Sequence, residues 1–378
     1  MHELLEQLEA MLPDGVRLLE RLVELESPSY DAEDVNELVQ LLAAEFEQLG
    51  GAITRIPEPN RGDHLVIRFP GESSRPIMLL GHTDTVWPKG TLAERPFTVE
   101  GDVATGPGVF DMKAGIVMMW MTIRAVLKVR GRLAHPVCIL LISNEEVGSP
   151  GSRALVTSEA AGMRAVLVLE PPLPGGVLKT RRNGMARFVV RAFGREAHSG
   201  INPEEGINAV EEVAHQILRI QKLGDAAKKT FVTATVVEGG TRPNVVPAEC
   251  TLQVDARTPS AAEATRVTHA IRSLQPVLPG SSLKIDGEFK RPPLEPTPGN
   301  VELFGLAQET ARALGYVIEG GATGGTSDGN LTSAMGVPTL DGLGAVGSGA
   351  HQIDEQIQLS SLPWRAALVA GIMEKIEP

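Results

Sequence analysis

Three short stretches of this chain, Ile77–Leu80, Val137–Ser143 and Ala165–Leu169, are apolar at almost every position. A strand with one face in water alternates polar and apolar residues, whereas a strand covered by helices on both faces has no need to. Helical periodicity surrounds these runs. Leu18, Leu19, Leu22, Val23 and Leu25 recur at helical spacing, as do Val35, Leu38, Val39, Leu41 and Leu42, and a long apolar helix is predicted over Met112–Val129. Two further strands are predicted at Ala52–Ile56 and His64–Phe69. Buried strands alternating with helices define an α/β sheet with helices on both sides.

The texture changes after Glu170. Pro171, Pro172, Pro174, Gly175 and Gly176 read as a stiff, turn-rich hinge. Beyond it the predicted order is strand Ala186–Ala192, helix Glu204–Leu223, strands Phe231–Val237 and Ala248–Ala256, helix Ala261–Leu274 and strand Leu283–Glu288. That β-α-β-β-α-β order is ferredoxin-like. A second Pro-rich stretch, Arg291–Pro298, returns the chain to helix–strand alternation and a closing helix, Leu359–Ile376. The organisation expected is one α/β domain from residues 1–175 and 291–378, with an α+β domain inserted at 176–290.

A length of 378 residues accords with two domains. The formal charge of −12 repels phosphate backbones and argues against a nucleic-acid partner. No apolar run approaches the roughly 20 residues of a membrane span, and the acidic start Met1-His2-Glu3-Leu4-Leu5-Glu6 lacks the basic flank of a secretory signal. A cytoplasmic location is the expectation. Cys138 and Cys250 sit in apolar runs far apart and read as buried free thiols. Any metal ion must then be held by His, Asp and Glu.

Residues of those types collect at strand ends. His82 and Asp84 follow Ile77–Leu80, Asp111 follows the turn Gly106-Pro107-Gly108, and Glu145 and Glu146 follow Val137–Ser143. Glu170 ends Ala165–Leu169, and His351 lies in the Gly-rich loop after Gly347. Sites in open α/β sheets form beyond the carboxyl ends of strands. Neutral imidazole with carboxylates suits zinc and also admits manganese or cobalt. A carboxylate bridging two ions is the arrangement of aminopeptidase-type hydrolases. Asp84 is placed to accept the second ring N–H of His82. Of Glu145 and Glu146, one can be a ligand while its neighbour shuttles protons.

The motifs Gly81-His82-Thr83-Asp84-Thr85-Val86, Gly108-Val109-Phe110-Asp111-Met112-Lys113-Ala114-Gly115, Asn144-Glu145-Glu146-Val147-Gly148-Ser149, Leu169-Glu170-Pro171, Ala197-His198-Ser199-Gly200 and Thr326-Ser327-Asp328, with His351, run nearly end to end. Together they resemble the two-zinc aminoacylases, succinyl-diaminopimelate desuccinylases and glutamate carboxypeptidases, above all the bacterial folate-cleaving carboxypeptidases. The resemblance implies a zinc-peptidase-like three-layer α/β/α catalytic domain with an inserted ferredoxin-like lid and dimerisation domain. It implies two Zn2+ per subunit, with Asp111 bridging, His82 and Glu170 completing one site, and Glu146 and His351 the other. Glu145 is then the general base, and His198 reaches into the partner subunit of a homodimer to stabilise the oxyanion. Asn244, Arg257 and the turn Gly324-Gly325-Thr326 correspond to groups that take the substrate's free carboxylate.

His2, His64, His135, His215 and His269 read as ordinary core or surface residues, and Met112, Met118, Met119 and Met121 as core filling. The function expected is hydrolysis of an amide bond beside a free α-carboxylate by a water activated between two zinc ions. A carboxypeptidase releasing a C-terminal amino acid such as glutamate comes first. An aminoacylase acting on N-acyl amino acids is the alternative, and a non-catalytic binding module on the same fold is the remote one. For a glutamate side chain, Lys179 is the nearest basic candidate.

Overall fold

The computed structural model describes residues 1–377. The chain divides into two compact units, one comprising Met1–Thr180, Pro296–Thr323 and the residues from Ser327 onward, the other Arg181–Glu295 with Gly324–Thr326.

The larger unit carries a six-stranded sheet in the order Ala52–Ile56, His64–Phe69, Val137–Ile142, Ile77–His82, Ala165–Val168, Thr339–Leu340. The last four run parallel, and His64–Phe69 pairs antiparallel with Val137–Ile142. The apolar runs are buried on both faces for a visible reason. Ile77, Leu79, Ile139 and Leu141 share a core with Val117 and Met121 of helix Ala114–Arg130 and with Ala366 and Val369 of helix Ser361–Lys375. Their alternates Met78, Leu80, Leu140 and Ile142 pack with Val156 and Ala160 of helix Arg153–Ala160 and with Leu331 of helix Gly329–Ala334. Three layers, α/β/α, result. Each fully buried Val, Leu, Ile or Met side chain among them contributes about 1.5–3 kcal/mol by leaving water.

Helix Ala114–Arg130 passes very close to the end of strand Ala165–Val168. A Cβ on Gly115 would lie 2.2 Å from the carbonyl oxygen of Leu169, so only glycine fits there. The methionines Met118, Met119 and Met121 are fully buried core residues, as expected of them.

The smaller unit forms a four-stranded antiparallel sheet in the order Phe231–Gly239, Glu249–Thr258, Gly184–Phe193, Ser282–Arg291. Ala186, Phe188, Val190 and Ala192 point to one face and pack with Val213 and Ile220 of helix Ala209–Gln221 and Val267 and Ile271 of helix Ala261–Arg272. This is the ferredoxin-like sandwich.

The Pro- and Gly-rich segment expected to be a hinge is part of the larger unit. Gly176 gives its carbonyl to the guanidinium of buried Arg365 at 3.1 Å, Leu178 is fully buried, and the N–H of Lys179 bonds the carbonyl of Asp341. The smaller unit therefore runs from 181 to 295, not from 176 to 290. A small four-stranded sheet made of Thr98–Glu100, Val103–Thr105, Gly347–Ser348 and Gln356–Gln358 was not anticipated. It frames the loop that carries His351.

Candidate active site

Every acidic or imidazole group expected to bind metal lies in the larger unit, at or beyond the carboxyl ends of its parallel strands or in the two loops beside them. His82 is the last residue of strand Ile77–His82. Its Nδ1 lies 2.9 Å from the carbonyl oxygen of Asp84, which can only accept, so Nδ1 carries a proton and Nε2 is the ring nitrogen left to take a metal ion. Oδ1 of Asp111 at 3.1 Å and Oε1 of Glu170 at 3.4 Å face that nitrogen. On the opposite side, Nε2 of His351 is 3.4 Å from Oδ2 of Asp111 and 3.1 Å from Oε1 of Glu146. The two oxygens of Asp111 thus turn toward different histidines, the disposition of a bridging carboxylate.

An oxygen of Glu145 lies within 4.8 Å of the ligating atoms of His82 and Glu170. The Asn144-Glu145-Glu146 turn is held from beneath. Asp84, fully buried, accepts the N–H of Glu145 at 3.0 Å on Oδ1, and on Oδ2 the N–H of Glu146 at 3.2 Å and the hydroxyl of Ser29 at 2.7 Å. This differs from the expectation for Asp84. The carbonyl of Asp84, not its carboxylate, takes the closer bond from His82, and the carboxylate stands 3.5 Å away. The physical reason is competition, because two backbone donors and a hydroxyl already occupy the buried carboxylate.

Crowding of carboxylates makes the site strongly negative. Burial opposes charge on Asp111, yet His351 and His82 outweigh it and hold the carboxyl below the usual carboxylate range. Burial also opposes charge on His82, but Asp111, Asp84 and Glu170 raise it well above its ordinary value. Asp111 and then Glu146 push His351 up to about 10. Burial, with the charge on Asp111 and against the bond from His351, pushes Glu146 up to about 7. Two imidazole nitrogens and several carboxylate oxygens converging around largely buried His82, Asp111, Glu146 and Glu170, with His351 on the exposed side, call for positive charge, and a pair of divalent cations fits the donor set. His351 itself has a φ of 63°, unusual for a residue with a side chain.

The remaining expected residues belong to the smaller unit: His198, Asn244, Arg257, Gly324, Gly325 and Thr326. His198 is exposed, and its segment runs beside that of Asn244, with Ser199 N–H donating to the Asn244 carbonyl at 3.1 Å. The N–H of Gly200 donates to His198 Nδ1 at 3.1 Å, leaving Nε2–H as a donor in the neutral ring. Arg257 makes a two-point pair with Asp255 on its own strand, Nε to Oδ1 at 2.9 Å and Nη2 to Oδ2 at 3.3 Å, and Nη1 lies outside that pair. Thr326 accepts at 3.2 Å from Arg291, a buried arginine that sequence reasoning passed over. Lys179 lies in the larger unit.

Ser29 was also missed. A serine beneath a carboxylate has no sequence signature; the short bridge between Pro28 and Thr85, with Ser29 N–H donating to the Thr85 carbonyl, brings it there. Cys138 and Cys250 are buried and free.

A three-layer α/β/α unit with this His/Asp/Glu cluster at its strand ends defines a metal-dependent hydrolase. Residues 78–375 match the family described as Peptidase family M20/M25/M40, and the chain belongs to that family. It is 32% identical over 374 residues to carboxypeptidase G2 of Pseudomonas sp. (strain RS-16), covering 96% of this chain and 89% of the relative. It is 28% identical over 375 residues to the succinyl-diaminopimelate desuccinylase of Dinoroseobacter shibae (strain DSM 16493 / NCIMB 14021 / DFL 12), covering 92% of this chain and 95% of the relative. The crystal structure of aminopeptidase PepT from Bacillus cereus ATCC 10987 superposes with a TM-score of 0.80 at 21% identity, over 97% of this chain and 98% of that one, which establishes the shared fold. The protein is accordingly a hydrolase of the metallopeptidase and amidohydrolase type. No helix among the described residues is long and apolar enough to cross a membrane.

Proposed function

We propose that the protein cleaves an amide bond next to a free α-carboxylate and releases a C-terminal amino acid, glutamate being the first choice. The observation that carries this reading is Glu145. Its carboxylate stands beside the His82 and Glu170 donors while its backbone is fixed by Asp84. His82, Glu170 and one oxygen of Asp111 would hold one ion, and His351, Glu146 and the other oxygen of Asp111 a second, zinc by the donor set. Bound there, such ions supply Lewis acidity toward the scissile carbonyl and make water a stronger acid.

The chain's own groups do the rest. Glu145 takes the proton of the attacking water and passes it to the nitrogen of the leaving amine. His198 donates Nε2–H to the oxyanion as it develops, contributed by the partner subunit of a homodimer. The dimer reading is supported by the sheet edge of the smaller unit, strand Phe231–Gly239, where Phe231, Val236 and Val237 are exposed. Asn244, Arg257 and the backbone N–H groups of Gly324–Thr326 receive the substrate carboxylate, with Asp255 fixing the Arg257 plane. Likeness to a carboxypeptidase and to a desuccinylase supports either a short peptide or an N-acyl amino acid as substrate. The second is the same chemistry with a different pocket. Buried free thiols accord with a reducing compartment, and we place the enzyme in the cytoplasm.

The test is hydrolysis by zinc-loaded protein of N-acyl glutamates and glutamate-terminated dipeptides, beside matched substrates ending in other residues and in an amide. Turnover is expected only with a free carboxylate and is abolished by chelation. Glu145→Gln is expected to lower kcat by about 10²–10⁴-fold with zinc still bound. An active Glu145→Gln enzyme, or equal turnover of amide-capped substrates, overturns the assignment.

A further inference from the structure

We infer that Glu355 is a positioning residue that locks three loops of the larger unit into one frame and thereby sets the metal affinity of the site. The inference rests on the reading that Asp111, His82 and His351 hold metal ions.

Glu355 is fully buried. Its Oε2 accepts the indole N–H of Trp87 at 2.8 Å and the backbone N–H of Gly108 at 2.9 Å. Its Oε1 accepts the N–H of Phe110 and the N–H of Asp111, both at 2.9 Å. Four N–H groups and no acceptor surround it, so one carboxylate satisfies all the donors that the Gly108–Asp111 turn points inward. Asp111 is thus gripped at its N–H while its own two oxygens face His82 and His351.

Each of the other two connections leads to an expected ligand. Trp87 lies five residues beyond His82, in the segment that starts from the strand end, and its ring is covered by the Arg95 guanidinium at 4.3 Å. Glu355 itself closes the loop of His351. Gln352 N–H bonds the Gly349 carbonyl at 2.8 Å, and Glu355 N–H bonds the Gln352 carbonyl at 3.1 Å, with His351 held at positive φ between them. Gly108 shows how tightly the frame closes. Its φ is 73°, and a Cβ there would stand 2.6 Å from Thr85 Cγ2. A carboxylate at the junction of the His82, Asp111 and His351 segments fixes the spacing of donors for both ions at once, as groups supporting metal ligands do.

The experiment compares the wild-type chain with Glu355→Gln and Trp87→Phe. Zinc content per chain and zinc dissociation constants, by competition against a chromophoric chelator, are measured beside the melting temperatures of the metal-free proteins. Gln keeps the size of the side chain but turns one acceptor into an NH2 that meets N–H groups head-on. Its zinc affinity is expected to fall about 10–100-fold. Trp87→Phe, which removes one donor and leaves the turn, is expected to show a smaller loss in the same direction. Should Glu355→Gln fail to fold, Trp87→Phe decides alone. Wild-type zinc affinity in the folded variants, with only a lower melting temperature, overturns the positioning role and leaves Glu355 as a structural group. A wild-type chain that binds no zinc overturns the metal reading itself, and the inference with it.

Discussion

The carboxylate of Asp84 accepts the backbone N–H of Glu145 at 3.0 Å, although the two residues lie 61 positions apart. Asp84 is therefore coupled first to the turn that carries the proposed base and only second to His82, whose Nδ1 already has a carbonyl partner at 2.9 Å.

That order makes a prediction. In Asp84→Asn, one acceptor becomes an NH2 facing the N–H of Glu145 or Glu146, so the turn must shift while His82 keeps its orientation. kcat is expected to fall about 10–100-fold, with zinc still bound at saturating concentration. Loss of zinc with near-normal kcat in the reloaded enzyme would return Asp84 to the role of orienting His82.

How far this site was legible in the sequence follows from what each residue does. The parallel strands could be read because a run such as Val137–Ile142 is buried on both faces and has to be apolar throughout. The strands Gly347–Ser348 and Gln356–Gln358 could not, since two or three residues carry no alternation. The helix expected from Met112 begins at Ala114. Asp111 and Met112 adopt non-helical angles there, and the N–H groups of Phe110 and Asp111 are spent on Glu355. Likewise the helix expected from Glu204 begins at Ala209, because Pro203–Glu205 forms a turn of its own and Asn208 caps Val210 and Glu211. Residues that face the reaction stood out by type and by motif. Those that act from behind, Ser29 donating to the Asp84 carboxylate and Glu355 accepting backbone N–H groups, look like any other serine and glutamate. Their roles exist only in the folded chain.

His64 predicts a pH effect on stability. Its Nδ1 accepts the N–H of Ser143 at 3.1 Å, just before the Asn144-Glu145-Glu146 turn, so the folded chain selects the neutral ring. Burial, against the pull of Glu58 and other acids, lowers its pKa from the ordinary 6.5. As pH falls below 6.5 the unfolded chain takes up a proton that the folded chain refuses, so stability falls with falling pH. The slope from this one group is at most about 1.4 kcal/mol per pH unit. His64→Gln keeps an acceptor that does not titrate. Urea unfolding at pH 7.5 and pH 5.5 is expected to show a smaller loss for the variant than for the wild type. Equal losses would show that His64 is not the group responsible.

A shared site has its own arithmetic. His198 and Glu145 lie in different compact units of one chain, and we propose that each site takes His198 from the partner subunit. His198→Ala and Glu145→Gln homodimers would then both be nearly inactive, for different reasons. In a mixed dimer, the subunit that keeps Glu145 faces a partner that keeps His198, which restores one site, while the other site lacks both groups. Random pairing of equal amounts makes half the dimers mixed, so about a quarter of wild-type turnover is expected. Co-expression with two affinity tags isolates the mixed dimer and raises the expectation to about half. Action within one subunit gives no recovery in either preparation, because no subunit then carries both groups. The same tags report whether a dimer forms at all, so a monomeric chain with full activity rejects the shared site without touching the role of Glu145.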